Sequence, residues 1–225
     1  MSAAPARPPR VPGPAAARRA AAAPAAAPRA APGEVRLIGG LLRRSRLPVP
    51  DRPGLRPTPD RVRQTLFDWL GQDLAGWRVL DAFAGSGALG FEAASRGAAA
   101  VTLLERDARV AAGLRDSAAR LRVPQVRVLA GDALAWMAAA PPGALDLVLL
   151  DPPFGAGLLD RAVPLALPLL APGGWLYVES DRPVPPPAGV RPWRALRAGA
   201  VQAQLWRCEG AGAALAPLPD GAGAG

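Results

Sequence analysis

Leu147-Val148-Leu149-Leu150-Asp151-Pro152-Pro153-Phe154 is the stretch that decides the fold of this chain. Its uninterrupted apolar run reads as a strand buried on both faces, the habit of a parallel sheet covered by helices. The strand then stops at an acid, two prolines and an aromatic ring. Proline removes backbone donors and fixes φ, so Asp151, the carbonyls beside Pro152 and Pro153, and the Phe154 ring form a stiff cluster at the carboxyl edge of a sheet. Open α/β sheets bind their ligands at that edge.

Outward from this strand, apolar runs alternate with helical periodicity in the βαβ manner. Strands are expected at 77–83, 100–104, 126–129, 145–150 and 174–179, with helices at 88–96, 107–121 and 132–138 between them. A helix over 158–170 should be distorted near Pro164 and Pro168. Residues 193–197 and 200–208 read as a closing hairpin turned at Ala198 and Gly199. The fold class is therefore α/β: a Rossmann-like, seven-stranded, mostly parallel sheet with an antiparallel C-terminal hairpin. Ahead of it, residues 35–50 read as a small β-hairpin around Gly39 and Gly40. A helix follows, with Thr58 as its cap, Pro59 in its first turn, Asp60 complementing its dipole and Gly71 just past its end. Val62, Leu66, Trp69 and Leu70 form one apolar face, which points Arg61 and Arg63 elsewhere.

Composition narrows the chemistry. The 225 residues include no histidine and one cysteine, Cys208. That excludes an internal disulfide, Ser-His-Asp hydrolysis, Cys-His catalysis and His-rich zinc sites, leaving carboxylates, backbone groups and a cofactor as tools. No metal is expected. No apolar run approaches the roughly 18 to 20 residues that span a bilayer, and the front end lacks a compact signal-peptide core, so a cytoplasmic protein without a membrane partner is expected.

The net charge of +9 is unevenly distributed. Residues 1–33 hold five arginines and no acid, 34–63 eight arginines and three acids, and 64–225 fourteen arginines and fifteen acids. A near-neutral body thus follows a basic arm, which points to a polyanionic partner. In domain terms, 1–33 is a disordered Ala/Pro/Arg tail, 34–209 one domain whose basic arm is 34–63, and 210–225 a flexible tail. A monomer is expected.

The first strand of the body runs into Asp81-Ala82-Phe83-Ala84-Gly85-Ser86-Gly87-Ala88-Leu89-Gly90, a literal G-x-G-x-x-G between strand and helix. A dinucleotide site would place its first glycine at the strand end. Here Asp81 stands there, and a carboxylate would repel a pyrophosphate while attracting a cationic or hydrogen-donating ligand, such as the amino-acid portion of S-adenosylmethionine. Glu105 ends the second strand, where an acid can accept two ribose hydroxyls. Asp132, at the third strand's end, is placed to accept from an adenine amino group, with helix capping as its plainer alternative. Phe83, Gly85, Ser86, Gly87 and Ala133 complete the candidate cofactor set.

At the opening stretch, Asp151 and the carbonyl near Pro152 can each accept an N–H of an exocyclic nucleobase amino group. They would draw the nitrogen toward a tetrahedral shape and aim it at an electrophilic methyl. Phe154 would stack on the extruded base, worth roughly 1 to 3 kcal/mol. Asp151, Pro152, Pro153 and Phe154 are the candidate catalytic residues. No cysteine stands in this loop, which argues against methylation at a pyrimidine carbon. Other readings are an amino-directed DNA methyltransferase acting on adenine or cytosine, a non-catalytic ribosome-assembly factor that binds RNA, and a dinucleotide-binding protein.

With its Asp81–Gly90 loop and Asp-Pro-Pro-Phe, the chain resembles the amino-directed class I S-adenosylmethionine-dependent methyltransferases. The stretches Arg36-Leu-Ile-Gly-Gly40, Leu47-Pro-Val-Pro50, Gly54-Leu-Arg-Pro-Thr58, Asp60-Arg-Val-Arg63 and Thr65-Leu-Phe67 are similar to those of the RsmD family of 16S ribosomal RNA guanine-N2 methyltransferases. That resemblance spans about residues 35–208. It implies S-adenosylmethionine as cofactor and a guanine of 16S rRNA, in the 30S subunit or its assembly intermediate, as substrate. Arg36, Arg43, Arg44, Arg46, Arg56 and Arg61 are the candidate phosphate contacts.

Overall fold

The computed structural model describes residues 33–50, 58–155 and 157–209. The expectations of a disordered front segment and a flexible tail fall outside these residues apart from Gly33, as does the candidate Arg56.

The arm comprises β1 (Glu34–Arg36) and β2 (Arg46–Pro48), followed by α1 (Asp60–Trp69). The body then runs β3 (Arg78–Asp81), α2 (Ala88–Ser95), β4 (Ala100–Glu105), α3 (Ala108–Leu121), β5 (Val126–Ala130), α4 (Ala133–Ala139), β6 (Leu145–Leu150) and α5 (Leu158–Ala166). It closes with β7 (Leu170–Ser180), β8 (Val190–Ala198) and β9 (Val201–Cys208). Pro164 lies within α5, and a 3₁₀ turn at Leu167–Leu169 holds Pro168, so the expected distortion is a change of helix type.

The seven-stranded sheet has the order β5-β4-β3-β6-β7-β9-β8. β3 pairs in parallel with β4 and β6, β4 with β5 and β6 with β7, while β9 runs antiparallel to β7 and β8. Successive side chains of β6 serve opposite layers. Leu147 and Leu149 join the core beneath α1, α2 and α3; Val148 and Leu150 join the core against α4 and α5. All four are 0% exposed, and each such burial stabilises by about 1.5 to 3 kcal/mol. The chain passes from β3 to β4 on one side and later returns to β6 on the other. That reversal opens the crevice between β3 and β6 at their carboxyl ends. Among the described residues, no helix is long and apolar enough to cross a membrane.

The arm departs from its sequence reading in two ways. β1 and β2 do pair antiparallel, but Gly39 and Gly40 are not a tight turn; they lie in a wide loop pressed onto the end of α2. A Cβ on Gly40, whose φ is 68°, would stand 1.8 Å from the Ser95 carbonyl oxygen, and one on Gly39 2.4 Å from Arg96 Nη2. The glycines serve close approach. Glu92 of α2 accepts the Ile38 and Gly39 amides at 2.9 and 2.7 Å.

The second departure is Arg63, which turns inward and is fully buried. Its guanidinium donates to Asp60 Oδ1 at 2.6 Å and to the Arg36 carbonyl at 3.0 Å, and stands 3.8 Å from Glu92. Arg96 donates to the same Glu92 at 2.8 Å. A buried acid between two guanidiniums thus ties α1, α2 and the arm together, and the helical spacing of Arg63 could not reveal a carboxylate supplied 29 residues later by α2.

Candidate active site

The three acids proposed for the cofactor lie at the carboxyl ends of β3, β4 and β5, and Asp151 follows the end of β6, so the fold gathers them along one edge of the sheet. Asp81 is the last residue of β3 and only 1% exposed. Its Oδ2 accepts the Gly90 amide at 3.0 Å, whereas Oδ1 is buried with no hydrogen-bond partner. Burial, then the negative charge of Asp151, pushes its pKa up to about 7, against the opposing backbone hydrogen bonds of Gly90 and Phe83. An unpartnered buried acceptor beside a crevice is a receptor for a donor or cation.

The glycine loop is shaped by steric need. Gly85 and Gly87 adopt φ of 51° and 76°. Gly87 precedes α2, and a Cβ there would meet Leu114 and Phe91 at 2.7 Å. A Cβ on Gly90 would reach Leu103 at 2.1 Å, so that glycine lets α2 lie close on the sheet. Ser86 is buried and Phe83 half-buried.

Glu105 accepts the Gly85 amide through Oε2 at 3.0 Å and the Asp107 amide through Oε1 at 2.8 Å, so it holds the glycine loop against the end of β4. Each carboxylate oxygen retains further acceptor capacity for a hydroxyl donor. Asp132 caps α4 by accepting the Ala135 amide at 2.9 Å and is exposed. Ala133 begins α4 with its side chain buried in the core against α4 and α5.

On the other side of the crevice, Asp151 is half-buried, Pro152 buried and Pro153 exposed. Phe154 is 46% exposed and lines a groove of about 270 Å³ with Pro152, Pro153, Ser180 and Arg182. An exposed aromatic beside a groove is a stacking platform. Asp151 Oδ2 accepts from the Thr58 hydroxyl at 2.9 Å. This corrects the reading of Thr58 as a cap: α1 has no side-chain cap, and Pro59 occupies that position. Burial pushes the Asp151 carboxyl up and the Thr58 hydrogen bond pulls it down.

Behind Asp151 lie two groups that the sequence reading passed over as the end of a strand. Leu150 pairs with Val178, so Glu179 follows on the neighbouring strand beside Asp151. It is 3% exposed and accepts the Tyr177 hydroxyl at 2.9 Å. Burial foremost, and then the charge of Asp151, raises its pKa. The signal was available: an acid ending an otherwise apolar strand, as at Asp81 and after β6.

Of the candidate phosphate contacts, Arg36, Arg43, Arg44 and Arg61 line a groove of about 450 Å³ between the arm and α1. Arg46 lies apart from them, 2.7 Å from Glu34 on the paired strand. Arg63 links this groove to the crevice: besides holding the Arg36 carbonyl it donates to the Thr58 carbonyl at 3.3 Å.

Comparison with known proteins places this geometry. The family model described as Conserved hypothetical protein 95 matches residues 35–207. Ribosomal RNA small subunit methyltransferase D of Escherichia coli K12 is 46% identical over 155 residues, covering 66% of this chain and 76% of that protein. Its namesake from Haemophilus influenzae is 42% identical over 158 residues, covering 68% and 82%. A solved Escherichia coli structure that carries a methyltransferase name superposes with a TM-score of 0.71 at 42% identity, covering 79% of this chain and 99% of that one. The chain belongs to the Conserved hypothetical protein 95 family, the RsmD family of methyltransferases, and its seven-stranded sheet is the fold of that family's methyltransferases.

Proposed function

We propose that this protein transfers a methyl group from S-adenosylmethionine to the exocyclic N2 amino group of a guanine in 16S rRNA, presented by the 30S subunit or its assembly intermediate. The observation that carries the reading is the Asp151-Pro152-Pro153-Phe154 loop at the end of β6, across the crevice from a glycine loop edged by Asp81 and Glu105. The relatives' names point to small-subunit ribosomal RNA; the acceptor loop points to the amino nitrogen.

The buried, unpartnered Oδ1 of Asp81 suits the cationic amino group of the cofactor's amino-acid portion. Gly85, Ser86 and Gly87 allow a close backbone approach. Glu105 is placed to accept ribose hydroxyls, while Asp132 and the start of α4 at Ala133 border the base. The cofactor supplies a methyl group on a positively charged sulfur. Asp151 and the Pro152 carbonyl accept the two N–H bonds of the guanine amino group and turn its lone pair out of conjugation. Phe154 stacks on the base. As the nitrogen gains the methyl and becomes cationic, it gives one proton to the Asp151 carboxylate. Arg36, Arg43, Arg44 and Arg61 bind phosphates, with Arg46 beyond them. Asp-Pro-Pro-Phe is also compatible with amino groups of DNA, but the described residues outside the arm form one methyltransferase fold with no further module for reading a duplex.

The test is to incubate the protein and labelled S-adenosylmethionine with small subunits, deproteinised rRNA and duplex DNA, and to map the labelled nucleotide. Label on guanine N2 of 16S rRNA is expected. Label on DNA alone, or on another base of rRNA, overturns the assignment.

A further inference from the structure

The Thr58 hydroxyl has one proton to donate, and Asp151 Oδ2 accepts it at 2.9 Å. Glu179 lies beside Asp151 on the neighbouring strand, where Leu150 pairs with Val178, and the Thr58 proton, committed to Asp151, is not available to it. Glu179 is 3% exposed and stands beside a second carboxyl, a setting in which two adjacent acids cannot both ionise cheaply. No guanidinium among the described residues forms an ion pair with either acid.

We infer that Glu179 and Thr58 are positioning residues for Asp151: Glu179 holds the single proton shared by the two carboxyls, and Thr58 donates to Asp151, so that Asp151 faces the acceptor amino group as a carboxylate. The inference rests on the methyl-transfer reading of Asp151 and adds two residues that act through it. Surroundings support this division. The Tyr177 hydroxyl donates to Glu179 Oε2 at 2.9 Å, which leaves the other carboxyl oxygen to carry the hydrogen. On the far side of Asp151 is Asp81, at the end of β3, whose own carboxyl is raised by burial and then by the charge of Asp151. From α1, Arg63 donates to the Thr58 carbonyl and forms no ion pair with either acid. The β9 partners of Glu179 and Ser180 are Ala203 and Gln202, neither of which titrates. Burial raises both carboxyls, the charge of Asp151 raises Glu179 as well, and the Thr58 hydrogen bond lowers Asp151, so Asp151 is the carboxyl left charged.

An arrangement of this kind has a consequence for turnover. The proton that leaves the amino nitrogen goes to Asp151, and the pair then holds two protons until one returns to solvent. Because Thr58 lies within the basic arm, loss of the arm's docking would remove the donor that keeps Asp151 charged and oriented.

Two measurements test this. In the free full-length protein, NMR titration of the Asp151 and Glu179 carboxyl carbons should show Asp151 ionising at lower pH than Glu179. The Asp151 midpoint should move little in Glu179→Gln. The reverse order, or a fall of about one unit or more in that midpoint on removal of the Glu179 charge, overturns the inference. In methyl transfer to small subunits, Thr58→Val should shift the acid limb of the kcat profile to higher pH and lower kcat roughly tenfold, while the cofactor Kd stays within a few-fold. Thr58→Ser should restore both, whereas an unmoved acid limb in Thr58→Val overturns the role of Thr58. Should the carboxyls titrate as expected while the wild-type protein methylates no RNA, the reading of the reaction fails and the pairing stands.

Discussion

The two halves of the sheet edge hold their acids in different ways. On the β3–β5 side every acid is fixed by backbone amides: Asp81 by Gly90, Glu105 by Gly85 and Asp107, and Asp132 by Ala135. On the β6–β7 side the acids are held by hydroxyls, Asp151 by Thr58 and Glu179 by Tyr177. Backbone amides cannot rotate away or change their donor count, so the first half is a preformed receptor. Hydroxyl partners rotate and can be deleted one at a time, so the second half has an ionisation state that its neighbours set. A receptor for a diffusible cofactor gains from rigidity. A site that must accept a proton during turnover gains from poise.

The contrast predicts separable losses. Asp151→Ala removes the proposed acceptor of the amino hydrogen, and kcat for methyl transfer should fall by about a thousandfold with the cofactor Kd within a few-fold. Stopped-time assays on small subunits and calorimetric titration with S-adenosylmethionine check the two numbers; a weakened cofactor and an intact kcat would erase the distinction. Glu105→Ala should do the opposite, weakening the cofactor by roughly 10- to 100-fold, the worth of hydrogen bonds to a charged acceptor, with kcat at saturating cofactor nearly kept.

A pH experiment sharpens the same comparison from the side of stability. The folded-state pKa of Asp81 is raised from 3.8 to about 7, so the native state holds a proton that the unfolded chain has already released. Its contribution is fully present below pH about 4 and is lost as pH rises toward about 7, at a slope of no more than about 1.4 kcal/mol per pH unit. Urea unfolding of Asp81→Asn without cofactor should lack that part of the slope and be more stable than the parent protein at pH 8. The smallest expected effect lies in the arm. Arg43→Ala and Arg44→Ala should each weaken small-subunit binding several-fold and reduce the salt slope by about one, leaving the cofactor Kd untouched.

Much of the fold was legible because periodicity survives burial. Leu145–Leu150 occupies the residues expected of it, and the alternation from Ala88 to Ala139 matches its helices and strands to within a residue or two. β7 proved longer than expected, starting at Leu170, because its early residues pair with Leu145 before a register shift that no local pattern announces. The closing hairpin turns at Gly199 and Ala200, one residue later than read. Candidate acids at strand ends were legible for a related reason: a charge that terminates an apolar run has few uses other than a site or a cap.

What the sequence determined by itself was therefore the sheet, its carboxyl edge and the acids that decorate it, since each follows from spacing along a single strand or helix. What only the tertiary structure decided were the relations between distant segments. Thr58 looked like a cap and bonds to Asp151, 93 residues away. Arg63 was expected to point away from the apolar face and is buried against Glu92. Gly39 and Gly40 looked like a turn and are a close contact with α2. The physical reason is common to all three. A polar side chain or a glycine satisfies its local rule and its long-range partner with the same atoms, and only folding reveals which of the two it serves.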